Sequence, residues 1–307
     1  MTATESVHLS PEAEAFAHWI ADLATPQSEI DAVRTRAEAT HLAASEPEGV
    51  TYRNVLAGGV PGIWGEPLGA DTDFVLLHSH AGGSVLSSAV VDRKLAGHIA
   101  KAVGVPILVL DWRRAPEHKY PAQLDDVDAA YQWLIAEGYA PEKIIMIGHS
   151  IGGFLAAALP LRLRDSGRPL PGAIVSISPW CDLTIAHETI DGHAETDKIL
   201  SRGLLEFFRE SWIGGTGIDH GDPLINLNRS DLTGLPPTLV SWGTYEVLAG
   251  EDEEFADRLA AAGVETRVLP VPGGQHSYVY GAGKIPETDD AIAQIAAWVR
   301  STLPIAP

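Results

Sequence analysis

The chain has 307 residues, 45% of them hydrophobic, with 30 Gly and 21 Pro; this is an ordinary globular composition, fitting one large α/β domain or two small ones. Its 21 basic and 41 acidic side chains leave a formal charge of −20 and no basic stripe, which excludes nucleic acid and anionic membrane as expected partners. The single Cys181 excludes an intramolecular disulfide, no basic-then-apolar leader is found, and no apolar run reaches membrane-spanning length, so a soluble cytoplasmic protein is expected.

In chain order, Ser10-Pro11-Glu12 is a helix start, and Phe16, Trp19, Ile20 and Leu23 follow at helical spacing. Thr25-Pro26 breaks that run. Ser28 and Asp31 resemble a capping box in outline and open a second helix through about His41. Residues 1–45 therefore read as N-terminal helices that contribute to packing or to a cap, ahead of a main domain over 46–307. From Val50 the pattern turns strand-like. Thr51–Val55 and Gly62–Trp64, separated by Gly58-Gly59, predict an antiparallel pair.

A regular alternation follows. Strands are predicted at 74–78, 107–110, 143–147, 173–177, 238–242 and 265–271. Helices are predicted at 86–103, 122–137, 152–164, 251–262 and 289–302. Eight strands in all, the later ones short, apolar and alternating with helices, predict an α/β fold with a mostly parallel sheet covered on both faces. One interruption, about 182–235, carries helical pattern around 198–212 and reads as a cap insertion at the mouth of a site. Asp125, Asp126 and Asp128 read as a solvated helix start with at most one structural contact.

One pentapeptide organises the rest. Gly148-His149-Ser150-Ile151-Gly152 lies between the apolar run 143–147 and an Ala/Leu-rich helix. A strand that turns into a helix through Gly-x-Ser-x-Gly is a nucleophile elbow, with the serine exposed at a helix N-terminus. A serine hydroxyl needs a general base, and the base needs an orienting carboxylate, in the chain order Ser, acid, His. His276, in the Gly/Pro-rich loop 271–277 after the last strand, has the required position. Glu246 directly follows strand 238–242 and is the favoured acid. Asp252, a turn further on beside Glu251, is the alternative, and both could instead be helix N-terminal charges. Oxyanion donors are expected from the amide of Ile151 and from the Gly-rich loop His80-Ala81-Gly82-Gly83, through Gly82 and Gly83. Ala81 fits there only with a negative φ. His149 adjoins Ser150, but its side chain should diverge from Oγ. His78-x-His80 could chelate Zn²⁺ with help from Asp111, yet the Gly-Gly loop and the elbow account for the segment without one.

These motifs resemble the hormone-sensitive-lipase-like esterases and lipases of the α/β-hydrolase fold. The resemblance is carried by the elbow, by His80-Ala81-Gly82-Gly83, by Asp111-Trp112-Arg113-Arg114-Ala115-Pro116-Glu117-His118-Lys119-Tyr120-Pro121-Ala122 and by Ile177-Ser178-Pro179-Trp180-Cys181-Asp182-Leu183. It implies a serine esterase with Ser150 as nucleophile, His276 as base and an oxyanion hole from Gly82, Gly83 and Ile151. It also implies a helical cap from the N-terminal helices and the insertion, and makes a homodimer plausible. No metal or cofactor is expected. The departures from the family pattern at His149, Ile151, Ala81, Ser84 and Glu246 look closest to an ε-lactone or small-ester hydrolase subgroup. The expected substrate is a small ester, with a lactone as the alternative and a catalytically inactive ligand-binding receptor as a reading from another class.

Overall fold

The structure, a computed structural model, describes residues 7, 9–23 and 30–306. Thr25-Pro26 and Ser28 lie outside the described residues.

Eight strands form one sheet: β1 (Val50–Ala57), β2 (Val60–Pro67), β3 (Val75–Ser79), β4 (Ile107–Leu110), β5 (Ile144–His149), β6 (Ala173–Ile177), β7 (Thr238–Gly243) and β8 (Thr266–Val271). Their order is β1-β2-β4-β3-β5-β6-β7-β8. β1 and β2 pair antiparallel, as expected from Gly58-Gly59, and β2 joins β4 antiparallel; every later pairing is parallel. Strands β3 to β7 are buried along their whole length, which is why they read as apolar runs rather than as alternations.

Alternate residues of each strand feed two cores, as the two-residue period of a strand requires. Val75, Leu77, Leu108, Ile144 and Met146 face one core, shared with Phe154 of α5 (Ile151–Asp165), Leu124 of α4 (Ala122–Ala136) and Phe255 of α8 (Ala249–Ala261). Leu76, Ile107, Val109, Ile145 and Ile147 face the other, closed by Leu95 and Ile99 of α3 (Ala89–Val103) and Ile292 and Ile295 of α9 (Pro286–Thr302). Chain order reverses beside β3, which lies between β4 and β5, and the loops at the carboxyl ends of the strands converge there.

Two helices precede the sheet: α1 (Pro11–Leu23), whose second residue-turn amide at Ala13 is held by Ser10 Oγ at 3.2 Å, and α2 (Ile30–Glu38). The insertion between β6 and β7 carries a short helix α6 (Thr189–Gly192) and α7 (Arg202–Ile213). Several helix starts differ from expectation: α5 begins at Ile151 rather than Gly152, α8 at Ala249 rather than Glu251 and α9 at Pro286 rather than Asp289, and α3 shifts the other way. Helix α3 begins at Ala89 rather than Leu86, because Ser88 caps it through Val91 N and the apolar Val85 and Leu86 belong to a folded loop. Among the described residues no helix is long and apolar enough to cross a membrane.

Candidate active site

Strand β5 ends in His149 and the chain reverses at Ser150, whose backbone has φ +58° and ψ −129°. An L-residue is strained there. The turn is held by Ser150 N–H to Ile177 O at 2.9 Å and by the amides of Gly153 and Phe154 on Ser150 O at 2.9 and 3.1 Å. The flanking glycines have a steric cause. A Cβ on Gly148 would meet the carbonyl oxygens of Gly152 and Ser79, and one on Gly152 would meet those of Ser79 and His80. Only a bare backbone lets the elbow sit this close to the end of β3. Helix α5 starts at Ile151, so its N-terminus stands behind the serine.

His276 lies in the loop after β8, and Glu246 in the turn after β7. Glu246 Oε2 accepts from His276 Nδ1 at 2.9 Å, and His276 Nε2 lies 2.9 Å from Ser150 Oγ. With Nδ1–H assigned to the carboxylate, Nε2 is left as acceptor for the serine hydroxyl. All three side chains are buried, Ser150 being 7% exposed, His276 3% and Glu246 0%. Asp252, the alternative acid, is brought to Glu246 rather than to His276. It is not the solvated helix-start charge that its position suggests; it is fully buried, and so is Glu251.

Sequence reasoning missed what holds these loops. Segment 193–200 of the insertion clamps both. His193 Nδ1 bonds Glu246 O at 2.8 Å, Asp197 Oδ2 accepts from Val247 N at 2.9 Å, and Thr196 Oγ1 donates to Tyr245 O at 2.9 Å. On the histidine loop, Gln275 Oε1 accepts from Lys198 N at 2.7 Å. No periodic signal marks such an irregular clamp.

The Gly-rich loop follows β3. Gly82 and Gly83 have φ +105° and +58°, while Ala81 is outside the left-handed region, as a residue with a Cβ must be. A Cβ on Gly83 would collide with the Phe208 ring of α7. Among the described residues the amides of Gly82, Gly83 and Ile151 make no backbone hydrogen bond, which leaves them free to donate to a ligand oxygen. The loop is shaped from below by the segment 111–122: Ala115 N donates to Ser84 O at 2.7 Å and Arg114 to Ser87 O at 2.9 Å. Arg34 of α2 spans both, reaching Val85 O, Ala115 O and Glu117. His80 stacks on Trp112 with centroids 3.9 Å apart, its Nδ1 bonded to Ala81 O at 2.7 Å; burial pushes its pKa down to about 4.

His78 and His149 turn away from Ser150 Oγ to a residue that sequence reasoning missed, Asp92. Both Nε2 atoms bond Asp92 Oδ2, at 2.8 and 2.7 Å, and all three residues are buried. The two imidazoles hold the Asp92 carboxyl well below the usual carboxylate range, against burial, which acts the other way. The signal for Asp92 was a lone charge in the apolar stripe of α3, with Leu95, Ala96 and Ile99 on the same buried face. These three side chains could place ligand atoms around a metal, since those atoms lie within 4.8 Å of one another; His80 and Asp111 are not among them. The pairwise hydrogen bonds already account for the grouping.

An apolar cavity of about 110 Å³ opens on Ser150 and His276. Gly82 and Gly83 line its floor, and Ile20, Ile199, Leu200, Leu204 and Phe208 line its walls. Trp212 of α7 ties the insertion to the body through Nε1–H to Gln123 Oε1 at 2.8 Å. Of the three aspartates of α4, Asp125 is the solvated first-turn charge expected, whereas Asp126 is buried and Asp128 half-buried. Asp126 is buried against Arg113, and Asp125 and Asp128 pair with Arg162 and Arg168, each at 2.7 Å.

Residues 76–280 match the family described as alpha/beta hydrolase fold. An acetyl-hydrolase of Streptomyces hygroscopicus is 33% identical over 247 residues, covering 80% of this chain and 82% of that protein. An esterase of Acinetobacter venetianus is 31% identical over 242 residues, covering 78% and 80%. The crystal structure of an esterase from the bacterial hormone-sensitive lipase family superposes with a TM-score of 0.92 at 34% identity, covering 96% of this chain and 99% of that one. None of these three names refers to a lactone.

Proposed function

We propose that Ser150 is the nucleophile of this chain, which belongs to the α/β-hydrolase fold family, and within it to the bacterial hormone-sensitive-lipase esterases, and which is a carboxylic ester hydrolase. The observation that carries the assignment is the unbroken relay from Glu246 Oε2 through His276 to Ser150 Oγ, with 2.9 Å at each link.

In this reading Ser150 Oγ attacks the ester carbonyl while His276 Nε2 takes its proton. The oxygen that becomes negative is met by the amides of Gly82, Gly83 and Ile151, and the N-terminus of α5 adds a favourable field. Glu246 keeps the imidazole in the right tautomer and stabilises it once charged. His276 then protonates the leaving alkoxide, and water repeats the cycle on the acyl-enzyme. Every proton moves through His276, so no metal or cofactor is required, and activity should persist after exhaustive chelation.

The walls of the cavity support esters of small to medium size with an apolar acyl group. Its lining draws on α1 through Ile20, on α2 through Ala37, on the 3-10 turn after α2 through Thr40, and on the insertion through Ile199, Leu204 and Phe208. This supports residues 1–45 and about 182–235 as the two parts of a cap over the catalytic domain. A strongly acidic surface disfavours anionic substrates. A hydrolysis panel of p-nitrophenyl esters of increasing acyl length, run beside lactones of several ring sizes, tests the substrate class. Ser150→Ala should abolish turnover with folding retained; undiminished turnover in that variant would sink the assignment. Labelling by a fluorophosphonate separates an enzyme from a receptor with a disabled triad.

A further inference from the structure

Behind Glu246 stands a second buried carboxyl, that of Asp252 in the first turn of α8. The Asp252 carboxyl lies close enough to that of Glu246 for the two to repel as like charges, which adds to burial in raising the Asp252 pKa. Asp252 Oδ1 also accepts a long S–H bond from Cys181 at 3.8 Å. One oxygen on each acid, Glu246 Oε1 and Asp252 Oδ2, is buried and has no hydrogen-bond partner among the described residues.

Two carboxylates cannot satisfy one another, because each only accepts hydrogen bonds. A single proton changes this. It turns one carboxyl into a donor, supplies both orphaned oxygens and removes the repulsion of two like charges in a buried site. The neighbours decide which acid carries it. Glu246 receives the Nδ1–H of His276, which favours the charge on Glu246. The titratable groups bearing on Asp252 are Glu246 in the turn before its helix, Glu251 on the helix itself and Cys181 in the segment after β6. Glu251 is buried too, accepting from Asp182 N at 3.1 Å. Burial, Glu246 and Glu251 together push the Asp252 carboxyl well above the usual carboxylate range.

We propose that Asp252 is a positioning residue for ester hydrolysis: it carries a proton and donates it as a hydrogen bond to Glu246 Oε1, which holds Glu246 Oε2 toward His276. This rests on Glu246 being the acid that orients His276. The relay then runs from Cys181 through Asp252, Glu246 and His276 to Ser150, and Asp252 never touches substrate.

The test uses Asp252→Asn, Asp252→Ala and Glu246→Gln, with kcat and KM followed across pH. The amide of Asp252→Asn can donate to Glu246 and still accept from Cys181. It should keep kcat within about threefold of the parent and leave the acid limb of kcat/KM in place, since no charge has been removed. Asp252→Ala lacks the donor and should lose tenfold or more in kcat with KM little changed. If Asp252 is ionised instead, Asp252→Asn removes a negative charge close to the His276 partner and moves the acid limb to lower pH by half a unit or more; that result overturns the proposal, as does parental kcat in Asp252→Ala. Should Asp252→Ala fail to fold, infrared difference spectra at neutral pH decide: the carbonyl band of a protonated carboxylic acid present in the parent must vanish in Asp252→Asn, and its absence from the parent contradicts the assignment. Glu246→Gln keeps the two failures apart. Parental activity there overthrows Glu246 as the orienting acid, whereas a large loss there beside flat Asp252 variants overthrows Asp252 alone.

Discussion

The pair Glu246–His276 and the pair Asp92–His149 are chemically alike: a buried carboxylate, an imidazole bonded to it at under 3 Å, and Ser150 close by. They differ in direction. His276 spends Nδ1 on its acid and has Nε2 left for Ser150 Oγ. His149 spends Nε2 on Asp92, shares that carboxylate oxygen with His78, and its Nδ1 is buried without a partner. Sequence adjacency therefore misleads. The histidine next to Ser150 is buried against Asp92, because a side chain on β5 points into the core beside the sheet while the elbow turns the serine toward the cavity. The histidine 126 residues away is the one within reach.

Exchanging the two histidines separates the pairs most sharply. His276→Ala should lower kcat by about 10⁵-fold or more, as loss of a triad base does, while His149→Ala should leave the kcat of the folded enzyme within about tenfold. Equal losses in steady-state kinetics would erase the distinction. Next is Glu246→Gln, expected to cost roughly 10³- to 10⁴-fold in kcat with KM little affected. On the other side of the comparison, Asp92→Ala should act on stability. It leaves two buried imidazoles without their partner, and the expected loss in a denaturant titration is about 3–5 kcal/mol. A catalytic collapse with stability intact would assign Asp92 to the chemistry instead.

The smallest effect comes from Asp252. Its carboxyl titrates higher in the folded chain than in the unfolded one, so the fold binds the extra proton. The stability it contributes is complete below the ordinary carboxylate pKa and is lost as pH rises toward the folded-state value. Asp252→Asn does not titrate. It should raise Tm by a few degrees at pH 8, and the gain should shrink to nothing near pH 4. Thermal melts across that range check it; a gain that grows as pH falls would reverse the sign.

Much of this was legible in the sequence because the chemistry sits at the ends of strands. Ser150 and Glu246 each follow an apolar run that reads as a buried strand, His276 follows the largely exposed edge strand β8, and topology brings those strand ends together. The loop after β3 was legible through Gly82 and Gly83, both at positive φ, where a Cβ would meet the Leu86 backbone and the Phe208 ring respectively. Burial of charge was not legible. Asp252 lies in the acidic run 251–254, which looks like any solvated helix start, yet it is fully buried, with Cys181 and Glu246 beside it. The start of α3 was placed three residues early because Val85 and Leu86 extend its apolar pattern, whereas their amides close a turn on Gly82 O. The clamp of residues 193–200 is made of single side-chain and backbone bonds from an irregular segment, and such bonds leave no period to read.

Ester hydrolysis through Ser150 and His276 requires that Ser150 become acylated. Rapid acid quench of the enzyme during turnover of a p-nitrophenyl ester, followed by peptide mass analysis, tests it directly. The acyl mass should appear on the peptide containing Ser150 and be lost in Ser150→Ala. Turnover with the acyl group on another residue, or with a Ser150 that stays unmodified under conditions where deacylation limits the rate, would contradict it.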